Sequence, residues 1–400
     1  MSVTETKEKK EIVKKELTLN MGPHHPSTHG VLRLVLDLQG ETVVGCDPRP
    51  GYLHRGIEKW CESRTYHQII PMTDRLEYIS CMNNNLGYVV AVEKLAGITV
   101  PERAQFIRTI TAELGRLSAH LIWLGSSVID LGAMTPFFYV SRERELVLDL
   151  LEMASGARQT VSYARIGGIR NDVPRDFIDK CREFTELFPK RLDEYNALIR
   201  TNRIFLERTV GIGVMTADEA VNYGLTGATL RGSGVNYDLR KVEPYAAYDK
   251  VEFDIPLGKN GDVYDRFLCR MEEMRQSNRI IKQCLDMMQP GPVTTDDPRY
   301  AIPEKLSVMQ NMSTLAHQFV LMSKWVPMPK GEVYVATEGA KGELGFYIVS
   351  DGSGRPYRIK IRAPSYVHVS ALPKMVTGHM VADVVACIGT IDIVLGECDR

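Results

Sequence analysis

Between Val100 and Gly132, apolar residues recur at Phe106, Ile110, Leu114, Leu117 and Leu121, a spacing that brings them to one face only in an α-helix. Pro101 stands in the first turn, where a helix tolerates proline, and the pattern ends near Gly132. A helix this long and apolar has to be covered by others. Candidates follow at 141–158, at 174–202, and at 262–288, the last stopped by Gln289-Pro290-Gly291-Pro292. Thr216 and Glu219 have the spacing of a capping box before "TADEAVNYGL". From Tyr78 to about Trp325 the chain therefore reads as a helical bundle.

The flanks follow a different period. Leu32, Leu34, Leu36 and Leu38 alternate, and Gln39-Gly40 signals a turn, which predicts a small N-terminal sheet. Near the other end, "GEVYVATE" and "ELGFYIVSDGSGRPYRIKIRAP" predict strands with a hairpin across Asp351-Gly352-Ser353-Gly354, followed by one helix over 372–390. The fold class is α+β, a central helical bundle flanked by an N-terminal β-rich segment and a C-terminal mixed α/β segment. The divisions fall at 1–16 (a charged tail), 17–70, 71–325 and 326–400.

Composition removes several classes. Lys and Arg total 49 against 50 Asp and Glu, so no global field favours nucleic acid. No apolar run is long enough for a membrane span, and "MSVTETKEKKEIVKKE" has no secretory apolar core, which predicts a cytoplasmic chain. The eight cysteines show no C-x-x-C spacing and read as reduced, buried thiols, so the chain alone is expected to hold no iron–sulfur cluster. Phosphate-loop, H-E-x-x-H and G-x-S-x-G patterns are missing, and "RGSGVN" around Gly232 and Gly234 reads as a turn.

Two stretches attract chemistry. "PMTDRLEYISC" sets Tyr78 among carboxylates, Arg75 and Cys81, and "NMGPHHPSTHG" gathers His24, His25 and His29 in a proline-bounded loop. Residue chemistry leaves three readings of the histidines: a metal site, disfavoured by the constraint of Pro23 and Pro26; rings donating to backbone carbonyls; and proton handling.

"GPHHPSTHGVLRL", "GYLHRGIEK", "DRLEY", "DLGAMTPFF", "LRGSGVNYDLRK", "YDRFLCRMEEMRQS", "KGELGFYIVSDGSGRPYRIKIRAPSY" and "IGTIDIVLGECDR" together closely resemble the hydrogenase-like large subunit of respiratory complex I, NADH:quinone oxidoreductase. The resemblance runs from about Leu17 to Arg400. Its wider superfamily is that of nickel–iron hydrogenase large subunits, which implies a hydrogenase-large-subunit-like fold. Laid on those enzymes, the first metal motif falls on Arg75 to Ser80 and the second on Asp392 to Arg400. The four thiolate positions hold Glu77, Ser80, Val394 and Glu397, a set without the soft donors that nickel requires. Cys81 and Cys398 each miss a ligand position by one residue. No metal is expected.

The resemblance implies that the vacated cavity receives a quinone, with Tyr78 and His29 at its carbonyl oxygens and Asp130 favouring the charged form of His29. It implies no cofactor bound by this chain alone, electrons from the terminal [4Fe-4S] cluster of an iron–sulfur partner subunit, and Arg55 and Arg75 near that cluster. It also implies the other hydrophilic-arm and membrane-arm subunits as partners, and a peripheral place on the cytoplasmic face of the cell inner membrane. Arg55 and Arg75 could instead make ordinary interface ion pairs, and Asp130 could be a helix-end carboxylate. Arg170 stands where some relatives have a histidine after Gly-Gly, so no proton-linked group is expected there. Two other functions compete: a non-catalytic scaffold of the same complex, and a metal-bearing hydrogenase.

Overall fold

The computed structural model describes residues 16–400. The charged tail lies outside them except for Glu16, which opens the first strand. Strands Glu16–Met21, Arg33–Gln39 and Thr42–Arg49 pair antiparallel in chain order, with Leu17 opposite Leu38, Leu19 opposite Leu36 and Met21 opposite Leu34. The alternation predicted for this sheet has a physical result: Leu34, Leu36 and Leu38 point into one buried core, joined there by Leu32. Two short helices, Ile57–Cys61 and Tyr66–Thr73, begin within the segment expected to be β-rich, and the second runs past its expected end at 70. A capping box between Thr65 and Gln68 starts the second.

The long helix runs over Glu102–Asp130, directly after Pro101, and Phe106, Ile110, Leu114, Leu117 and Leu121 are all buried. It is also buried on faces that an apolar stripe does not predict. Glu113, Arg116 and His120 sit in the interior, where unpaired charges are untenable. They are paired within the helix and across elements: Arg116 with Glu113 at 3.2 Å on the same helix, Glu113 with Arg240 at 3.3 Å and His120 Nε2 with Glu273 at 3.2 Å across to others, while Arg231 joins Glu338 at 2.8 Å and Glu273 at 3.0 Å. Helices Cys81–Ala96, Thr135–Ser155 and Val263–Met287 pack on the long helix, and Arg175–Ile199 packs on the latter two.

A second antiparallel sheet, Gly331–Glu338, Glu343–Ser350 and Arg358–Arg362, lays Phe346, Ile348, Ile359 and Ile361 against the Cys81–Ala96 helix. The approach is close enough to require glycine, since a Cβ on Gly87 would lie 2.7 Å from Thr337 Oγ1. The single helix expected over 372–390 is two, Pro364–Val376 and Val381–Ile391. The interruption has a cause in the first sheet. Gly378 N donates to Val43 O at 2.8 Å, Val43 N to His379 O at 2.9 Å, and Val381 N to Glu41 O at 3.0 Å. The backbone there satisfies the edge of the hairpin instead of continuing a helical ladder.

Candidate functional site

The end of the long helix, the histidine loop, the "DRLEYIS" turn and the 392–394 segment, which opens with Asp392 in the left-handed region, line one pocket of about 340 Å³. Its walls carry His29, Tyr78, Asp130 and Asp392 among Trp123, Ile122, Ile129, Phe137 and Val394. Three residues separated widely in sequence, His29, Tyr78 and Asp130, are thus brought together. The surface is mostly apolar, and a phenol, an imidazole and the Ser126 hydroxyl stand in it beside the two aspartates.

Each side chain is held by a local device. Residues 26–28 form a single tight turn, with Thr28 Oγ1 donating to His25 O at 2.9 Å, and His29 closes it in the left-handed region at φ 54°. His25 accepts from Ser27 N at 3.2 Å through Nδ1 and caps that turn. Of the three loop histidines only His29 lines the pocket. Tyr78 sits in the turn between two helices, where its neighbours Leu76 and Glu77 are buried and anchor the loop. Its ring remains 43% exposed. Burial, and then the Glu77 charge, raise the Tyr78 pKa, so the phenol keeps its proton at neutral pH.

Opposing influences meet at His29. His29 is exposed at the pocket surface, and desolvation by the protein atoms around it lowers its pKa below the usual histidine value, an effect that this exposure tempers. Among nearby charges Asp392 opposes that most strongly, Lys341 adds to it, and Asp130 opposes it more weakly. Asp130 itself is pushed up by burial, with His29 and then His25 pulling it down.

Arg55 Nη2 donates to Arg75 O at 2.9 Å and to Gly396 O at 2.7 Å, which ties the Tyr78 turn to the C-terminal turn. Desolvation lowers the Arg55 pKa, opposed first by Tyr78. Arg75 is exposed and donates to Pro71 O. Arg55 therefore lies close to the tyrosine, and Arg75 stands three residues before it in the chain.

Glu77, Ser80, Val394 and Glu397 are all buried. Glu77 accepts from Ser80 N at 3.0 Å and Glu397 from Ser365 Oγ at 2.5 Å, so these oxygens serve internal partners. Among the described residues no group of three or more His, Cys, Asp or Glu side chains converges as a metal site. Cys81 packs in the core of the bundle and Cys398 in the core beneath the first sheet, and burial pushes both thiols up to about 12. Sequence reasoning gave no role to Asp392 or to Lys341, whose Nζ lies 2.5 Å from Asp392 Oδ2. Asp392 carried a signal, since it opens the segment aligned with the second metal motif. Lys341 carried none, because only the fold brings its turn to that segment.

Comparison with known proteins agrees with this architecture. Residues 130–400 match the family described as respiratory-chain NADH dehydrogenase, 49 Kd subunit. Over 384 residues, 96% of this chain and 98% of the relative, the sequence is 54% identical to the D subunit of NADH-quinone oxidoreductase from Geotalea uraniireducens. It is equally similar, over the same shares, to the protein of that name from Geobacter metallireducens. The Chromobacterium violaceum protein of that name is 50% identical over 410 residues, 96% of this chain and 98% of its own length. With a family match over more than half its length and relatives covered almost end to end, this chain belongs to the family of the 49 Kd subunit of respiratory-chain NADH dehydrogenase.

Proposed function

We propose that this chain is the quinone-binding core subunit of a proton-pumping NADH:quinone oxidoreductase, active within the assembled complex, and that its pocket takes the quinone head group. The observation that carries the reading is the convergence of His29, Tyr78 and Asp130 on one largely apolar pocket. A quinone ring suits such walls, and its carbonyl oxygens need hydrogen-bond donors. Tyr78, held protonated, donates to one oxygen. His29 donates to the other, with Asp130 and Asp392 biasing it toward the charged form that gives up a proton.

Electrons come from the terminal [4Fe-4S] cluster of an iron–sulfur partner subunit. The positions of Arg55 and Arg75 beside the Tyr78 turn suit them to face that cluster, where fixed positive charge raises its reduction potential. Further partners are the hydrophilic-arm and membrane-arm subunits. No helix among the described residues is long and apolar enough to cross a membrane. In this reading the chain is peripheral on the cytoplasmic face of the inner membrane, attached through the membrane arm.

Tyr78→Phe tests the proposal. Assembly and cluster reduction persist while quinone reduction falls roughly a hundredfold, the scale of a lost general acid. Parental turnover of a soluble quinone analogue by this variant would leave the chain as a scaffold.

A further inference from the structure

Next to the pocket the chain buries three carboxyls around one ammonium. Lys341 and Asp392 form an ion pair at 2.5 Å, and both are nearly closed to solvent. Glu77 and Glu397 are each 2% exposed. Glu397 accepts from the Ser365 amide at 3.1 Å as well as from its hydroxyl, and Glu77 from the Ser80 amide. Lys341 faces both glutamates, Asp392 and Glu397 face Glu77, and Arg270 and His29 face Asp392. Neither glutamate makes an ion pair of its own among the described residues.

Charge balance decides their state. Lys341 and Arg270 both face Asp392, which takes the ion pair with Lys341, and no cation is in ion-pair contact with Glu77 or Glu397 among the described residues. Two further buried negative charges without partners are strongly disfavoured, and a buried carboxyl escapes that cost by keeping its proton. Burial accordingly holds Glu397 above the ordinary carboxyl range and pushes Glu77 up to about 8, despite Lys341. The pocket is adjacent: Asp392 and Ile393 line it together with His29, and Glu77 immediately precedes Tyr78.

We propose that Glu77, kept as a neutral acid beside the Lys341–Asp392 pair and backed by Glu397, is the internal proton donor that charges His29 for quinone reduction. The inference rests on the quinone reading of the pocket. His29 reaches solvent through the pocket, and a seated head group covers it there, so the proton that recharges it has to come from the protein side. The O–H bond of Glu77 breaks and an N–H bond forms on His29 by way of Asp392, which leaves a carboxylate facing Lys341. Two electrons from the oxidoreductase's iron–sulfur chain reduce the quinone, and its oxygens take one proton from His29 and one from Tyr78. Glu397 and then water restore Glu77, and the exposed edge of the pocket restores Tyr78.

Glu77→Gln in the assembled oxidoreductase copies a neutral carboxyl in shape but holds no transferable proton. Quinone reduction at neutral pH falls about tenfold or more, reduction of the clusters by NADH is unchanged, and Glu77→Asp recovers part of the rate. The parental rate declines as pH rises through about 8, and the Gln variant lacks that limb. A Gln variant that turns over at the parental rate, or that retains the alkaline limb, overturns the proposal. Tyr78→Phe measured alongside separates the two readings. Loss in Tyr78→Phe with none in Glu77→Gln removes the proton donor and leaves the pocket, whereas no loss in either removes the pocket. Should Glu77→Gln fail to assemble, Glu397→Gln is read by the same rate and pH profile.

Discussion

A Cβ on Gly396 would stand 2.5 Å from the carbonyl oxygen of Leu76, so the C-terminal turn and the turn carrying Tyr78 meet backbone to backbone. The contact fixes where the phenol sits, and Arg55 reinforces it by bonding the carbonyls of Arg75 and Gly396 together. Backbone cannot move aside as a flexible side chain can.

Gly396→Ala therefore displaces the Tyr78 turn. Its expected result is an assembled complex whose quinone reduction drops at least about tenfold, the cost of a small misplacement of a reacting group. Turnover with a soluble quinone analogue, normalised to the amount of assembled complex, measures it.

Asp130→Asn removes one of the charges that raise the His29 pKa. A base whose pKa falls is protonated less at any given pH, so quinone reduction declines at neutral pH and recovers as the medium is acidified. Each tenfold loss of the protonated form corresponds to a pKa lower by about one. Because Asp392 acts on His29 more strongly than Asp130 does, Asp392→Asn is expected to lose more. Rate against pH for both variants checks the order.

His368 is wholly buried, and burial, Arg362 and Arg270 together lower its pKa to about 3, although the carbonyls of Ile391 and Thr226 face its two nitrogens. Below about 6.5 the unfolded chain binds a proton there that the folded chain refuses down to about 3. Stability thus falls as pH drops through that window, by about 1.4 kcal/mol for each pH step of one from this residue. Denaturation midpoints of the complex between pH 7 and 5 show a shallower slope in His368→Gln.

Glu273 is shared by Arg231 at 3.0 Å, Arg240 at 3.2 Å, Arg116 at 3.5 Å and His120 at 3.2 Å, all in the interior. Glu273→Gln leaves these cations short of one negative charge, at a cost of roughly 3–5 kcal/mol. A lower melting temperature and a reduced yield of assembled complex are expected. A variant as stable as the parent would mean that the remaining carboxylates suffice.

The elements legible in the sequence were those governed by local period. Phe106 to Leu121 and Leu34 to Leu38 identify a helix and a strand without reference to anything distant. The break at Thr377–Met380 was not legible, because its cause is a set of hydrogen bonds to Glu41 and Val43 on the far side of the sequence. The same distinction runs through the site. Tyr78, His29 and Asp130 were accessible through long family-specific motifs, and the structure brings them to one pocket. Lys341 was not, since an exposed-looking lysine in a hairpin turn becomes a buried cation only when Asp392 is folded against it. The charges buried on the long helix went unread for a related reason: a periodicity argument records apolar positions and ignores polar ones that tertiary partners neutralise.

The pocket walls come from residues 26–29, 78–79, 122–137 and 392–394, and the hairpin at 41–43 clasps the backbone at 378–381. A ribosome delivers these pieces in sequence, so hundreds of residues must emerge before the cavity can close. Until then the leucine face of the first hairpin has no helices to cover it, and exposed apolar strands of this kind invite association. Synthesis therefore carries a long interval of vulnerability, and the cell's folding assistants have the most to protect at the N-terminal sheet.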